Sequence, residues 1–476
     1  MSDKQTIKLR EKWVIQSIDE IATISTGKKD ANHATEDGKY KFYTCAFKPL
    51  MAPTFSFEDE AIILPGNGHN VGEVFYFKGM FEAYQRTYVL HKIKVDPKYL
   101  FYQLKLGWKK ATAEKQYGSA TNYIRIGNFT DYSLLIAPPE QQKQIVAKIE
   151  QLFSHIDAGV EALNTAKQYL KQYRQSVLKA AVTGELTKEW REAHRNKLNT
   201  ENQLLELVLD ERNSEYSRKL TAWEKALEEW QLSGEQGKKP TKPQKIKVLN
   251  GFSSVDLRSF GLLPKNWRWV KLGNLAVDVF DGPFGSNLKS SDYVEKGVRV
   301  IRLENIGNLE FNADKVTYVS EEKYEALKKH RVSKGDIIFS SFVVDGTRVV
   351  VLPTNIEKAI NKADCFCIRT FGDSIGADYL AYFLSTTSTY KRLENQVHGA
   401  TRPRINTTQL KELEVPICSA QEQLEIVRII REKLESIDRL DNEIGVLLQK
   451  EGKNKQSILA SAFSGKLITA STGTEL

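Results

Sequence analysis

The feature that most constrains the fold of this 476-residue chain is an internal repeat, in which matched positions are separated by one constant distance along the sequence. This distance is the separation between Gln142 and Gln423, and we call it the repeat offset. The other segments matched at the repeat offset are 117–121 with 398–402, 145–146 with 426–427, 156–157 with 437–438, 175–178 with 456–459, and 184–186 with 465–467. Each half also opens with a Trp-Val pair, Trp13-Val14 and Trp269-Val270. The chain is therefore predicted to be a duplicated unit.

Each copy of the repeat contains the pattern of a long helix. Apolar or small residues alternate at spacings of three and four, which is typical of a heptad seam. The first seam is Ile145, Ile149, Leu152, Ile156, Gly159, Leu163, Ala166, Leu170, Tyr173 and Val177, and the second is Ile426, Ile430, Leu434, Ile437, Leu440, Ile444 and Leu447. Pro138-Pro139 precedes the first helix, and a capping box from Ser419 to Glu422 is predicted to open the second. Two matching seams favour an intramolecular antiparallel pair.

The segments outside the helices divide into two globular halves and a charged connection. Apolar runs bounded by Gly, Pro and Asn predict strands at 61–64, 74–77, 298–303, 336–339 and 348–352, and short helices are predicted at 98–107 and 379–384. Trp190, Leu204, Leu205, Leu207, Trp223 and Trp230 give the connection an apolar face. Its lysine- and proline-rich stretch 238–243 is predicted to be a solvated linker rather than a phosphate-binding segment.

The predicted fold class is α+β or mixed. It comprises two globular α/β domains separated by two long helices that form an antiparallel coiled coil, with internal duplication and pseudo-twofold symmetry. The predicted boundaries are 1–139 for the first globular domain, 140–186 for the first long helix, 187–266 for the charged helical linker, 267–418 for the second globular domain, and 419–476 for the second long helix and tail.

Composition restricts the class of protein only loosely. The chain carries 69 basic and 60 acidic residues, a net charge of +9, which weakly favours a polyanionic partner. No apolar run is long enough to span a bilayer, and residues 1–5 lack the apolar core of a secretory signal. Four cysteines without paired spacing favour a reducing compartment. We therefore expect a cytoplasmic protein.

Motifs for catalysis are absent from the sequence. There is no Walker-type phosphate loop, and the one Pro-Pro pair lacks the context of an amino-methyltransferase motif. Cys365 and Cys367 are separated by one residue and have no second pair, so buried strand cysteines are favoured over a zinc site. The chain is expected to perform no covalent chemistry itself and to hold no metal.

Several stretches, in order and in duplicate, resemble the specificity subunits of type I restriction-modification systems. They are 263–273 (LPKNWRWVKLG), 281–288 (DGPFGSNL), 300–306 (VIRLENI), 334–338 (KGDII), 399–406 (GATRPRIN) and 138–142 (PPEQQ). The second helix starts from 416–423 without the double proline of the first, and the first half matches the family less well than the second.

The resemblance implies a non-catalytic, sequence-specific DNA-binding subunit. Each globular half would be a target-recognition domain for one half of a bipartite, asymmetric double-stranded target. The helices would space these domains and dock two methyltransferase subunits. No cofactor would be bound by this chain: S-adenosylmethionine would belong to the methyltransferase subunits, and ATP to restriction subunits, if such subunits accompany it.

Candidate DNA-binding residues are polar or basic side chains expected on exposed loops, because such groups contact base edges and phosphates. They are Asn67, His69, Asn70, Lys109, Lys110, Thr121, Asn122 and Arg125 in the first half, and Ser286, Asn287, Lys289, Arg348, Thr401, Arg402, Arg404 and Asn406 in the second. Arg402 and Arg404 flank a proline that disfavours helix, so they are the strongest candidates. Ordinary turns and solvated faces are the competing interpretation for each residue.

Two other classes of function remain open from the sequence. One is a nucleic-acid-binding scaffold that acts without a methyltransferase, and the other is a nuclease with an unrecognised site. The bases of the target and the length of its spacer are not encoded in any recognisable pattern.

Overall fold

The computed structural model describes residues 12–115, 117, 122–195, 201–372, 374–399 and 403–468. The chain forms two compact units. The first comprises residues 1–167 and 442–476, and the second comprises residues 168–441. Each unit combines one globular α/β half with portions of both long helices, so the predicted mixed fold class is confirmed.

The first unit is built on a six-stranded sheet of order β2-β7-β5-β6-β3-β4, beside a two-stranded β1–β8 pair. Its elements are β1 Val14–Ser17, α1 Ile18–Ile21, β2 Thr23–Thr26, β3 Tyr40–Tyr43, β4 Leu50–Ala52, β5 Phe57–Pro65, β6 Phe75–Ala83, β7 Thr87–His91, α2 Pro97–Glu114, α3 Gly127–Thr130 and β8 Ser133–Ile136. Asp96 caps α2 by accepting hydrogen bonds from the Lys98 and Tyr99 amides. The core of this unit lies between α2 and the sheet, with Leu100, Leu104 and Trp108 fully buried.

The second unit repeats this plan with additions. Its four-stranded sheet has the order β10-β18-β15-β16, beside a five-stranded sheet, β11-β13-β12-β17-β14, and a two-stranded β9–β19 pair. Its strands are β9 Arg268–Lys271, β10 Ala276–Phe280, β11 Tyr293–Val294, β12 Val298–Ile301, β13 Tyr318–Val319, β14 Arg331–Val332, β15 Ile337–Ser340, β16 Val349–Val351, β17 Ala359–Asn361, β18 Cys365–Thr370 and β19 Glu414–Ile417. Cys365 and Cys367 are buried on β18, as the sequence predicts.

The helices of the connection and of the second unit complete the chain. The long helices are α4 Pro139–Val182 and α13 Ala420–Phe463. The others are α5 Lys188–Ala193, α6 Glu201–Leu232, α7 Ser254–Ser259, α8 Leu272–Leu275, α9 Glu321–Ala326, α10 Ala377–Leu384, α11 Thr387–Glu394 and α12 Thr407–Glu412. Pro139 is the first residue of α4, a position where its missing amide hydrogen costs no helical hydrogen bond.

The two long helices run antiparallel within each unit. In the first unit the start of α4 packs beside the end of α13, and Lys455 forms an ion pair with Asp157. In the second unit the end of α4 lies beside the start of α13, and Arg174 pairs with Asp438. The repeat offset relates Asp157 to Asp438, and Arg174 to Lys455. The two ion pairs are therefore copies of each other, as the internal duplication requires.

The predicted second seam is buried only in part. Leu440 and Leu447 are 46% and 43% exposed, whereas Ile426, Ile430 and Ile437 are buried. A single partner helix covers a narrow stripe, so seam positions beyond the globular core keep an open side.

The lysine-rich stretch 238–243 has no helix or strand and its lysines are exposed, as predicted for a solvated linker, but it also contacts α6. The Trp223 indole donates to the Pro240 carbonyl at 3.1 Å, and the Trp230 indole donates to the Gly237 carbonyl at 3.3 Å. Lys242 lies over the ring of Trp223. The stretch therefore folds back along α6, because two half-buried tryptophans need acceptors for their N–H groups.

Strand pairing also corrects the predicted match between Trp13 and Trp269. Val14 pairs with Ile136, and Arg268 pairs with Ile417, the residue that the repeat offset relates to Ile136. The structural counterpart of Trp13 is therefore Trp267. The Trp13 indole donates to Gln141 at 2.7 Å, and the Trp267 indole donates to Glu422 at 3.0 Å.

Half of the predicted capping box at α13 is present. The Glu422 amide donates to Ser419 Oγ at 3.3 Å. The Glu422 carboxylate, however, accepts from Trp267, from Thr187 Oγ1 at 2.8 Å and from Arg191 Nε at 2.8 Å. Burial of this carboxylate explains the difference, since a buried charge needs paired partners.

Candidate nucleic-acid interface

The same short hairpin follows the sheet in both units. In the first, Tyr117 and Tyr123 exchange backbone hydrogen bonds of 3.1 and 3.0 Å. In the second, His398 and Arg404 exchange bonds of 3.0 and 3.1 Å. The repeat offset relates the two pairs, so the repeat extends from the helices into these loops.

Each hairpin is attached to its sheet by the same backbone contacts. Tyr123 bridges to Asn67 and Arg404 bridges to Phe342. Ile124 N donates to Gly66 O, and Ile405 N donates to Ser341 O, both at 3.0 Å. The described residues of the two hairpins are therefore attached to their sheets in the same way.

In the first unit, the hairpin side chains form an aromatic and cationic cluster. The Arg125 guanidinium lies 4.5 Å from the ring centroid of Tyr117 and 5.4 Å from that of Tyr123. It also donates to Tyr123 Oη at 2.8 Å. Arg125 is exposed, so its remaining donors face solvent.

The other candidates of the first unit have differing surroundings. Asn67 is half-buried, and His69 and Asn122 are exposed. Asn70 is buried and donates to the Cys45 carbonyl at 2.8 Å, an interaction that holds a turn. The expectation that Lys109 and Lys110 lie on a loop is wrong, because both belong to α2, where Lys109 pairs with Glu73.

In the second unit the hairpin faces a carboxylate instead of an aromatic ring. Arg404 Nη1 lies 3.3 Å from Asp364 Oδ1. That same oxygen accepts from Ser341 Oγ at 2.8 Å, and Ser341 N donates to Asp364 O at 2.9 Å. Asp364 is thereby fixed, with a backbone φ of 69°, while the Arg404 side chain remains 53% exposed.

A second aspartate lies close behind this pair. The pKa of Asp281 is raised to about 6, mainly by burial and also by the nearby negative charge of Asp364, against hydrogen bonds from the Gly282 and Asp364 amides. Gly282 itself packs directly on the backbone of Lys362, where a side chain would clash. The segment that begins with Asp281 is therefore held firmly against the turn that precedes β18.

The remaining candidate residues of the second unit differ in their exposure and in their hydrogen-bond partners. Ser286, Asn287 and Lys289 are exposed on the loop that follows. Arg348 is half-buried and donates to Ser340 Oγ at 3.2 Å. Asn406 caps α12 by accepting from the Gln409 amide at 2.9 Å, so its side-chain oxygen has a structural partner. Thr121, Thr401 and Arg402 lie outside the described residues.

Sequence reasoning missed residues on both sheets. In the first unit, Gln85 and Arg86 line a cleft of about 350 Å³ together with Thr26, Asn67 and Tyr123. In the second, Asp364 is the partner of Arg404. Arg86 and Asp364 share a position directly before a strand, β7 or β18, but no motif marks it.

The described part of the chain contains no group of three or more His, Cys, Asp or Glu side chains arranged to hold a metal ion. No helix within the same residues has the length and apolarity to cross a membrane.

The chain is thus a duplicated α/β protein with paired helices, and each half carries a polar hairpin beside its sheet. The sequence matches the family described as "Type I restriction modification DNA specificity domain" over residues 10–166 and 264–449. The chain belongs to this family, which confirms the resemblance and the assignment to target recognition.

Similar proteins come from bacteria and archaea. The chain is 29% identical to the type I restriction enzyme EcoDI specificity subunit of Escherichia coli, over 97% of this chain and 90% of that one. It is 21% identical to the MjaVIII specificity subunit of Methanocaldococcus jannaschii, over 97% of this chain and 94% of that one.

A solved structure shares the fold. It is described as the basis of complex assembly and conformational transition of the type I R-M system, and its matching chain gives a TM-score of 0.62 at 16% identity, with 96% and 99% of the two chains covered.

Proposed function

We propose that each globular half binds one part of a bipartite, asymmetric DNA target. The observation that carries this proposal is the duplicated hairpin, which has one backbone geometry but different side chains in the two units. Where the first displays Tyr117, Tyr123 and Arg125, the second displays His398, Arg404 and Asn406. Proteins with identical binding surfaces select palindromes, whereas surfaces that differ in donors and acceptors select different bases.

The long helices would set the spacing of the two half-sites and dock two methyltransferase subunits. Apolar side chains exposed on them support the docking role, among them Tyr169, Leu424, Val446 and Leu447. The helices are continuous over 44 residues each, which suits a spacer of fixed length.

In this proposal the chain itself is not catalytic. The methyl donor, S-adenosylmethionine, would be bound by the methyltransferase subunits, and ATP by restriction subunits where they are present. The chain would bind DNA and orient it toward these partner subunits. The complex would act on DNA in the cytoplasm.

Transfer of labelled methyl groups tests the division of labour. The purified chain with S-adenosylmethionine and target DNA should transfer no label until the methyltransferase subunit is added. Transfer by the pure chain would overturn the proposal.

An insertion tests the spacing role. Four extra residues between Leu163 and Lys171 lengthen a helix by about 6 Å. The two half-sites should keep their bases but change their separation in a folded, active complex. Unchanged separation would mean that the helices do not set the distance.

A further inference from the structure

Arg86 occupies the position in the first unit that Asp364 occupies in the second. Gly66 N donates to Arg86 O at 2.9 Å, and Gly66 O accepts from Ile124 of the hairpin. Ser341 N likewise donates to Asp364 O at 2.9 Å, and Ser341 O accepts from Ile405. The repeat offset relates Ile124 to Ile405.

The sheets confirm this equivalence. Arg86 immediately precedes β7 and Asp364 immediately precedes β18. These two strands hold the same place in the orders β2-β7-β5-β6 and β10-β18-β15-β16. Residues 86 and 364 therefore face the hairpin from the same side of the scaffold.

The two units exchange the roles of these positions. In the second unit the carboxylate of Asp364 precedes the strand and the arginine, Arg404, is on the hairpin. In the first unit the arginine, Arg86, precedes the strand, and the hairpin carries Tyr123 at the position equivalent to Arg404. At this pair of equivalent positions each unit thus has one arginine, before the strand in the first unit and on the hairpin in the second.

The surroundings of Arg86 leave its guanidinium available. The residue is exposed at the cleft of about 350 Å³ that Asn67 and Tyr123 also line. Its neighbour Gln85 is already engaged, since Gln85 Nε2 donates to Asp30 Oδ1 at 2.6 Å. Within the residues that the structure describes, no carboxylate forms an ion pair with Arg86. Arg125 of the same unit, by contrast, is held by two tyrosine rings.

We propose that Arg86 is a specificity-determining residue of the first half, which recognises a base edge, most simply guanine, in the major groove of duplex DNA. Arg is the side chain that most often makes a bidentate contact to guanine O6 and N7. Asn67 and Tyr123 line the same cleft and would flank the guanidinium where it meets the edge of the base pair. This inference rests on the proposed DNA-binding function and adds the residue responsible for one part of it.

Selection from a library of randomised DNA duplexes tests this inference with the full chain. The variants are Arg86→Ala and Arg86→Lys, and Lys78→Ala is the charge control, because Lys78 is an exposed cation in the middle of β6. Affinities for the selected duplex and for single-base changes are then measured by fluorescence anisotropy, with circular dichroism to establish folding.

The wild type should select a split sequence. Arg86→Ala should lose discrimination by roughly 10-fold or more at one or two base pairs of one half-site and leave the other half-site unchanged. Arg86→Lys should lose the same base preference while retaining the salt dependence of binding, because lysine keeps the charge without the planar fork. Lys78→Ala should select the wild-type sequence.

Two results would overturn the inference alone. One is an unchanged selected sequence for Arg86→Ala, and the other is an equal loss of affinity for all sequences, which identifies a phosphate contact. A folded wild-type chain that selects no split sequence would instead overturn the proposed function, and the inference with it.

Discussion

The two hairpins show how one scaffold supports two different surfaces. In the first unit Arg125 lies against the neighbouring rings of Tyr117 and Tyr123, and in the second Arg404 is paired with Asp364, which other hydrogen bonds hold in place. The backbone hydrogen bonds that attach the hairpins are the same. Duplication therefore preserved the attachment of these loops, while the side chains that face solvent diverged in charge and shape.

The junctions between the long helices and the globular halves also combine conserved backbone contacts with different side chains in the two units. Gln142 and Gln423 make equivalent hydrogen bonds, to the Ala137 carbonyl at 2.7 Å and to the Cys418 carbonyl at 2.9 Å. Next to them, neutral Gln141 in the first unit is replaced by charged Glu422 in the second, which gains Thr187 and Arg191 as partners. The second junction is therefore expected to depend far more on a single side chain.

The largest expected effect follows from this difference. Glu422→Ala should lower the free energy of unfolding by about 3–5 kcal/mol, because it leaves the half-buried Arg191 without its partner. Gln141→Ala should cost about 1 kcal/mol, the usual value of one neutral hydrogen bond. Urea unfolding followed by tryptophan fluorescence measures both changes.

Glu422→Gln is the matched control, since it copies the residue found in the first unit. It should destabilise the protein by less than Glu422→Ala, because the amide oxygen can still accept either from Trp267 or from Thr187, which donate to different oxygens of the glutamate. Equal losses for Glu422→Ala and Gln141→Ala would contradict the assigned role of the charge.

The next largest effect concerns the hairpins themselves. Arg404→Ala should reduce discrimination at one half-site by about 1–3 kcal/mol, as expected for one bidentate base contact. The other half-site should be unaffected. Binding assays with duplexes altered in one half-site at a time measure this, and an equal loss at both would show that Arg404 contacts only phosphate.

The two units should also differ in how their stability depends on pH. Gly27 and Gly282 both pack directly on backbone, and they are preceded by neutral Thr26 in the first unit and by Asp281 in the second. Because burial raises the pKa of Asp281 from 3.8 to about 6, the folded state holds its proton more tightly than the unfolded state does. The stability from this group is full below about pH 4 and is lost as the pH rises through 6.

Asp281→Asn should therefore be more stable than the wild type at pH 8, by about 1–2 kcal/mol after the ~3 kcal/mol of a two-unit shift is discounted for partial solvent exposure, and equally stable near pH 4. Thermal unfolding of both proteins across this range tests the prediction. A destabilised variant at pH 8 would mean that the charged form is the one that the fold requires.

The smallest effect is expected for the duplicated ion pairs of the long helices. Asp157→Ala and Asp438→Ala should each lower stability by at most about 1 kcal/mol, because the carboxylates are exposed. Similar small losses from the two variants, fading in high salt, would agree with their symmetry. A large loss of stability from only one of the two variants would contradict this symmetry.

Much of this architecture follows from the sequence, for a physical reason. Coiled-coil seams and polar junctions such as Gln142 must keep their spacing, so the repeat offset survives where helices and hairpins pack. The strands predicted at 61–64 and 336–339 are confirmed, because strands buried in a core need continuous apolar residues.

Other features could not be predicted because they depend on tertiary pairing. The equivalence of Trp13 with Trp267 appears only when β1 and β9 are paired with their partners, since the globular halves differ in length. Arg86 and Asp364 have no local motif, and their shared position emerges from the sheet. Asn70 resembles a loop donor in sequence, but burial assigns it to the Cys45 carbonyl.

The central claim is that two different surfaces on one duplicated scaffold define a split and asymmetric DNA target. Mapping methylated adenines across the host genome, in the presence of the methyltransferase partner, tests it most directly. The account predicts a single two-part sequence with a spacer of fixed length, whose two parts are not inverted copies of each other. A palindromic or continuous target would contradict it.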